Sequence, residues 1–102
     1  MYQIELFKSQ KANLRPIPRP FEFPWGKGLV VEEVSYKSQH HEPAIQLLQF
    51  ESGFELVRFC SYTLSGRFEK NSWIANSDEI AELGRQLNST PRLKEILKKM
   101  SQ

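Results

Sequence analysis

Arg58 and Tyr62 lie in the run FELVRFCSYTL (54–64), whose aromatic and β-branched residues predict a strand. Side chains alternate along a strand, so Phe54, Leu56, Arg58, Cys60 and Tyr62 share one face. Glu55, Val57, Phe59, Ser61 and Thr63 share the other. Arg58 and Tyr62 therefore project side by side. A guanidinium next to a phenol ring suits an unpaired nucleic-acid strand, the cation meeting a phosphate and the ring a base. The next segment, RFEKNSWI (67–74), continues the theme: Phe68 and Lys70 fall on one face, Arg67 and Trp73 on the other. The plainer alternative is that the rings belong to a core and the basic side chains run past them to water. Both faces of the Arg58 strand are partly apolar, so alternation alone does not decide which one meets the rest of the fold.

Other reactive residues lack the company that chemistry requires. His40-His41-Glu42 is one short cluster, and no second Cys/His group is present to complete a tetrahedral metal site. Cys60 sits mid-strand, where a small buried hydrophobe is the expected role. No G-x-S-x-G elbow accompanies the serines. Gly26-Lys27-Gly28 is too short to cradle a phosphate and no helix follows it. The sequence thus predicts no enzyme, no cofactor, no metal and no small-molecule substrate.

The elements that position these residues are read from pattern. The chain of 102 residues, 39% hydrophobic and 25% charged, has the composition of one small globular domain. It has no apolar run of the roughly 18 residues that a membrane helix needs, and MYQIELFKSQK at the start is not a signal peptide. One cysteine implies a reducing compartment, the cytoplasm being the expectation. Residues 1–8 alternate as a short N-terminal strand. Residues 9–28 hold Pro16, Pro18, Pro20 and Pro24, which exclude a helix or a central strand and predict an extended arm ending in a turn. Phe21, Phe23 and Trp25 alternate along it, and no P-x-x-P spacing occurs.

Residues 29–74 read as an antiparallel sheet. Its strands are 29–37, 44–51, 54–64 and 67–74, with a loop at 38–43, a hairpin turn at Ser52-Gly53 and another turn at Gly66. Residues 76–100 read as two helices. Asn76 with Glu79 forms a capping box, and Ile80, Leu83 and Leu87 follow on one face. Thr90 and Pro91 start a second helix striped by Leu93, Ile96, Leu97 and Met100. The predicted class is α+β, a four- to five-stranded antiparallel meander followed by two C-terminal helices on one face. Formal net charge is +2, but residues 8–27 and 92–99 are basic while residues 28–57 are acidic. Such a division steers an anionic partner to one part of the surface.

The order of elements, carried by Phe54 to Thr63, Gly66-Arg67-Phe68-Glu69-Lys70 and Trp73 to Leu87, resembles the single-stranded-DNA-binding transcriptional regulator superfamily. That superfamily includes the positive-cofactor-type coactivators, the Whirly proteins and the PUR repeats. The resemblance covers about a third of the chain and implies strands that offer basic and aromatic side chains to unpaired DNA. By position, Arg58, Tyr62, Arg67, Phe68, Lys70 and Trp73 would be the contacts. Arg15 and Arg19 of the arm would extend them. The expectation is a non-catalytic single-stranded nucleic-acid-binding protein, a homodimer with a transcriptional role. The alternative is a protein-interaction module that uses the aromatic arm and the last helix.

Overall fold

The computed structural model describes residues 15–70 and 72–102. Five strands precede two helices: β1 (Arg19–Phe23), β2 (Gly26–Ser35), β3 (Glu42–Phe50), β4 (Glu55–Tyr62), β5 (Phe68–Glu69), α1 (Ser77–Gln86) and α2 (Pro91–Lys98). A 3-10 turn at Leu87–Ser89 joins the helices and another at Lys99–Ser101 follows α2. The strands form one antiparallel sheet in the order β1-β2-β3-β4-β5, so every strand lies beside its neighbours in sequence. This is the α+β meander with C-terminal helices that the pattern predicts.

The turns follow from glycine at two positions. Gly53 (φ +94°) and Gly66 (φ +97°) occupy the left-handed region, where a Cβ is penalised. At the first turn the Phe50 amide donates to the Phe54 carbonyl at 2.8 Å; at the second, Thr63 donates to Arg67 at 2.7 Å. Helix α1 begins with the predicted capping box. The Asn76 side chain accepts from the Glu79 amide at 2.8 Å, and the Glu79 carboxylate accepts from the Asn76 amide at 3.0 Å.

Four expectations need correction. The proline segment 9–28 is not an arm throughout: Arg19–Phe23 is an edge strand paired with β2, and the sheet begins here rather than at residue 29. Pro20 is tolerated because an edge strand has donors that need no partner. Pro43 is not in a loop but inside β3, opposite Ser61. Its missing N–H would have faced β2, which ends near this level: Ser35 pairs with Ala44. The last strand is two residues long instead of eight, because the chain leaves the sheet after Glu69 and Trp73 packs under Phe59. Thr90 makes no side-chain cap for α2. Glu32 of β2 does so from across the fold, accepting from the Leu93 amide at 2.7 Å and the Arg92 amide at 3.3 Å. The strand expected at residues 1–8 and residues 9–14 of the arm lie outside the described residues.

Both faces of the sheet are packed. On the helix side, Val34, Ile45 and Leu47 meet Leu83 of α1 and Leu93 of α2, with Val57, Trp73, Leu87, Ile96 and Leu97 around them. On the other side Phe21, Val30, Leu48 and Phe50 form a second cluster, and Ala44, Cys60 and Tyr62 a third. No helix among the described residues covers that side. Instead the sheet curls on itself: strands β1 and β4 would stand about 14 Å apart if flat, yet Arg19 of β1 reaches the Tyr62 hydroxyl of β4 at 3.2 Å. A register shift in β2 between Val30 and Glu32 adds local twist. The face carrying Arg58 and Tyr62 is thus concave, and the helices back the convex face.

Candidate functional site

The floor of the concave face is a charged network. Arg19 binds Glu33 through both terminal nitrogens (2.8 and 3.1 Å), and Arg15 binds Glu42 likewise (3.2 and 2.9 Å). Gln46, fully buried, donates to Glu33 at 2.8 Å and to the Tyr62 hydroxyl at 2.9 Å. Ser35 donates to Glu42 at 2.8 Å. Arg58 donates its Nε to Gln46 at 2.7 Å. These residues come from the arm, β1, β2, β3 and β4, and only the curl brings them together. Burial would raise the Glu33 carboxyl, but the bonds from Arg19 and Gln46 and the charge of Arg15 outweigh it and hold the group below its ordinary value. Burial would lower the guanidiniums of Arg15 and Arg19, and their carboxylate partners raise both instead.

Three guanidiniums therefore face two carboxylates, and the excess positive charge resides on Arg58. Its Nε bonds to Gln46, and no carboxylate among the described residues pairs with its guanidinium. The guanidinium lies over two rings, 5.0 Å from the centroid of Phe68 and 5.7 Å from that of Phe23. From Phe23 a train of rings runs toward the hairpin end. Trp25 stacks on Phe23 at 5.0 Å and on Phe50 at 5.3 Å, and Phe50 meets Phe54 at 5.7 Å. Trp25 is 65% exposed, Phe54 57% and Phe68 46%. A shallow depression of about 350 Å³ opens between Trp25, Phe50 and Phe54, with Lys27 and Glu51 on its rim. Lone exposed rings are unremarkable, but three in a line with a cation among them offer flat apolar surface beside an unpaired positive charge.

The residues singled out from sequence separate into three groups. Arg58 and Phe68 are brought together in this strip. Tyr62 is beside them but buried: Arg15 covers its ring at 3.9 Å, Phe68 meets it edge-on at 5.7 Å, and its hydroxyl is bonded to Arg19 and Gln46. Arg15 and Arg19 lie on the same face with their charge matched by Glu42 and Glu33. Arg67 and Lys70 are exposed beside β5, at the rim. Trp73 is on the convex face, packed edge-on against Phe59 at 5.3 Å. Trp25 and Phe54 are the members that the sequence reading passed over. The alternation of Phe21, Phe23 and Trp25 was the available signal, but only the β1–β2 pairing sets these rings beside Phe50.

Cys60 is 5% exposed, and burial pushes its thiol up to about 11, which leaves it protonated at neutral pH. His41 lies 3.7 Å from Glu79, and among the described residues no three His, Cys, Asp or Glu side chains converge as a metal site would require. No helix among the described residues is long and apolar enough to cross a membrane. No protein-family model matches this chain, and no curated protein or solved structure matches it either.

Proposed function

We propose that the protein binds single-stranded nucleic acid, without catalysis, along the aromatic strip of its concave face. The observation that carries this reading is the placement of Arg58 between Phe68 and Phe23, in a line of rings exposed at Phe68, Trp25 and Phe54. Phe68 on one side and Trp25 and Phe54 on the other offer surfaces on which unpaired bases stack, while the unpaired charge of Arg58 draws the backbone. Lys27, Arg67 and Lys70 stand at the rim for further phosphates. Bases in a duplex are closed to such a platform, so the reading requires an unpaired strand. A role in regulating transcription accords with that ligand.

The chemistry of the floor assigns duties within the site. Arg15 and Arg19 are committed to carboxylates and hold the arm on the sheet, so phosphate contact falls to Arg58 and the rim. Tyr62 supports Phe68 and Arg15 rather than stacking on a base. Fluorescence anisotropy with a labelled mixed-sequence oligonucleotide tests this. Saturable single-strand binding that exceeds duplex binding and weakens as salt rises is expected. Stacking is worth about 1–3 kcal/mol per base, so Trp25→Ala and Phe68→Ala each weaken binding roughly five- to hundredfold. Trp73→Ala, on the far face, serves as the control. Flat traces at micromolar protein, or wild-type affinity in both Trp25→Ala and Phe68→Ala, would refute the reading and assign the strip to an apolar protein partner.

A further inference from the structure

On the convex side the helices do not close over the sheet completely. A slot of about 260 Å³ remains between them, with Phe59 of β4 on its floor. Ile80 and Gly84 of α1, with Leu87 just beyond, form one wall; Leu97 and Met100 form the other. Ile80 and Met100 stay exposed instead of closing on one another. Trp73 also lines the slot, and its Nε1 is the one side-chain nitrogen or oxygen in that lining. The atom is itself shielded, so the side chains offer an occupant no hydrogen bond inside the slot. Gly84 keeps the space open. Glycine within a helix is less favourable than alanine, and no atom stands within 4 Å of the Cβ it lacks. Crowding therefore does not require glycine at this position; its effect is room in the slot.

The charge beside the slot has one sign. Side chains three and four positions apart are neighbours on a helix. No charged residue is so placed beside Ile80, Gly84 or Leu87, and beside Leu97 and Met100 there is one, Lys94. Its ammonium donates to the Asn88 side-chain oxygen at 2.6 Å, next to Leu87, and no carboxylate among the described residues pairs with it. We propose that the slot binds the alkyl chain of a free medium-chain fatty acid, with the carboxylate held at the mouth by Lys94. A cavity of roughly 150 Å³ holds one benzene, so 260 Å³ suits a single chain of about ten carbons. With no side-chain donor inside, the acid group stays in water, where its charge is not desolvated. There Lys94, which has N–H groups to spare, meets it. A slot walled on both sides admits one chain and not a bilayer surface. The site lies on the face opposite the aromatic strip and does not rest on the nucleic-acid reading.

Proton–nitrogen correlation spectra of the full chain, titrated with sodium hexanoate, octanoate and decanoate, test the site. The two tryptophan indoles report on opposite faces, since Trp73 lines the slot and Trp25 belongs to the strip. The Trp73 indole signal, identified by its loss in Trp73→Phe, should move saturably while that of Trp25 stays. Affinity should rise roughly fourfold for each methylene added, the effect of burying one. Gly84→Leu fills the slot and should weaken decanoate by about tenfold or more with native circular dichroism, since leucine favours a helix. Lys94→Gln should weaken octanoate roughly two- to fivefold, the size of an exposed ion pair, and leave octanol unmoved. A decanoate titration that does not saturate below the micellar concentration overturns the proposal. Doubled mass in sedimentation would then assign the slot to a second copy, and binding to anionic vesicles would assign it to a membrane. Wild-type affinity in a folded Gly84→Leu chain overturns it as well. Should that variant fail to fold, Lys94→Gln decides: an equal response of octanoate and octanol overturns the proposal.

Discussion

Replacing Glu33 by glutamine separates a structural role for the arm arginines from a ligand-binding one. The Glu33 side chain is 7% exposed, and its two oxygens accept from Arg19 at 2.8 and 3.1 Å and from Gln46 at 2.8 Å. Glutamine keeps the shape but presents an NH2 group where only donors surround it, and it leaves the Arg19 guanidinium, 15% exposed, without its counter-charge. Removing one member of a buried ion pair costs about 3–5 kcal/mol, a large share of the roughly 5–15 kcal/mol that holds a domain folded. In urea, with a slope of about 1.3 kcal/mol/M for a chain of this size, the midpoint should fall by roughly 2–4 M. The pH dependence has a definite sign. The Glu33 carboxyl is held below its ordinary value in the folded state. Its contribution is therefore complete above the unfolded value of about 4.3 and is lost as pH falls through the lower folded value. Glu33→Gln should lack that acid limb. A loss of less than about 1 kcal/mol, the size of an exposed pair, would refute the reasoning. It would also mean that Arg15 and Arg19 are solvated enough to meet phosphate.

The other predictions concern single positions. A Cβ on Gly28 would collide with the Gln49 carbonyl oxygen and stand 2.7 Å from the Phe50 Cα, backbone atoms that cannot move aside, so Gly28→Ala should lose about 3 kcal/mol or more in the same urea titration. Asn76→Ala removes the side-chain half of the α1 capping box, the bond from the Glu79 amide, and should lower stability by about 1 kcal/mol, a fall of roughly 4–8 °C in Tm by calorimetry. Cys60 should react with a thiol reagent at neutral pH at least about a hundredfold more slowly in the folded chain than in denaturant. Rapid labelling would show that the sheet opens around Ala44 and Tyr62.

The concave face explains how an acidic middle segment and a basic arm coexist. Residues 28–57 carry five glutamates against one lysine, a poor surface for phosphate when taken alone. Two of them, Glu33 and Glu42, are buried beneath Arg19 and Arg15, and a third, Glu32, caps α2. Glu55 is paired with Arg92. The acidic charge is thus largely spent inside the fold, and the surface above it is set by Arg58 and the rings. Buried ion pairs of this kind are weak sources of stability; here they fasten residues 15–19 across β2, β3 and β4.

Local signals in the sequence were sufficient for the order of elements. Alternation in 29–37 and 54–64, glycines at 53 and 66, and the Asn76–Glu79 box depend on interactions within a few residues, so the meander and both helices were legible before any packing was known. Contacts between distant residues were not. The proline segment became an edge strand because β2 supplied a partner, and Pro43 entered β3 because β2 ends beside it. Which side of β4 meets the helices, and which side curls into a concave face, is a property of the whole sheet. Arg15 and Arg19 find Glu42 and Glu33 at separations of 27 and 14 residues, and Trp25 joins Phe50 through strand register. The sequence specified which side chains alternate with which; only the curl of the sheet decided which charges are cancelled and which rings remain open to a ligand.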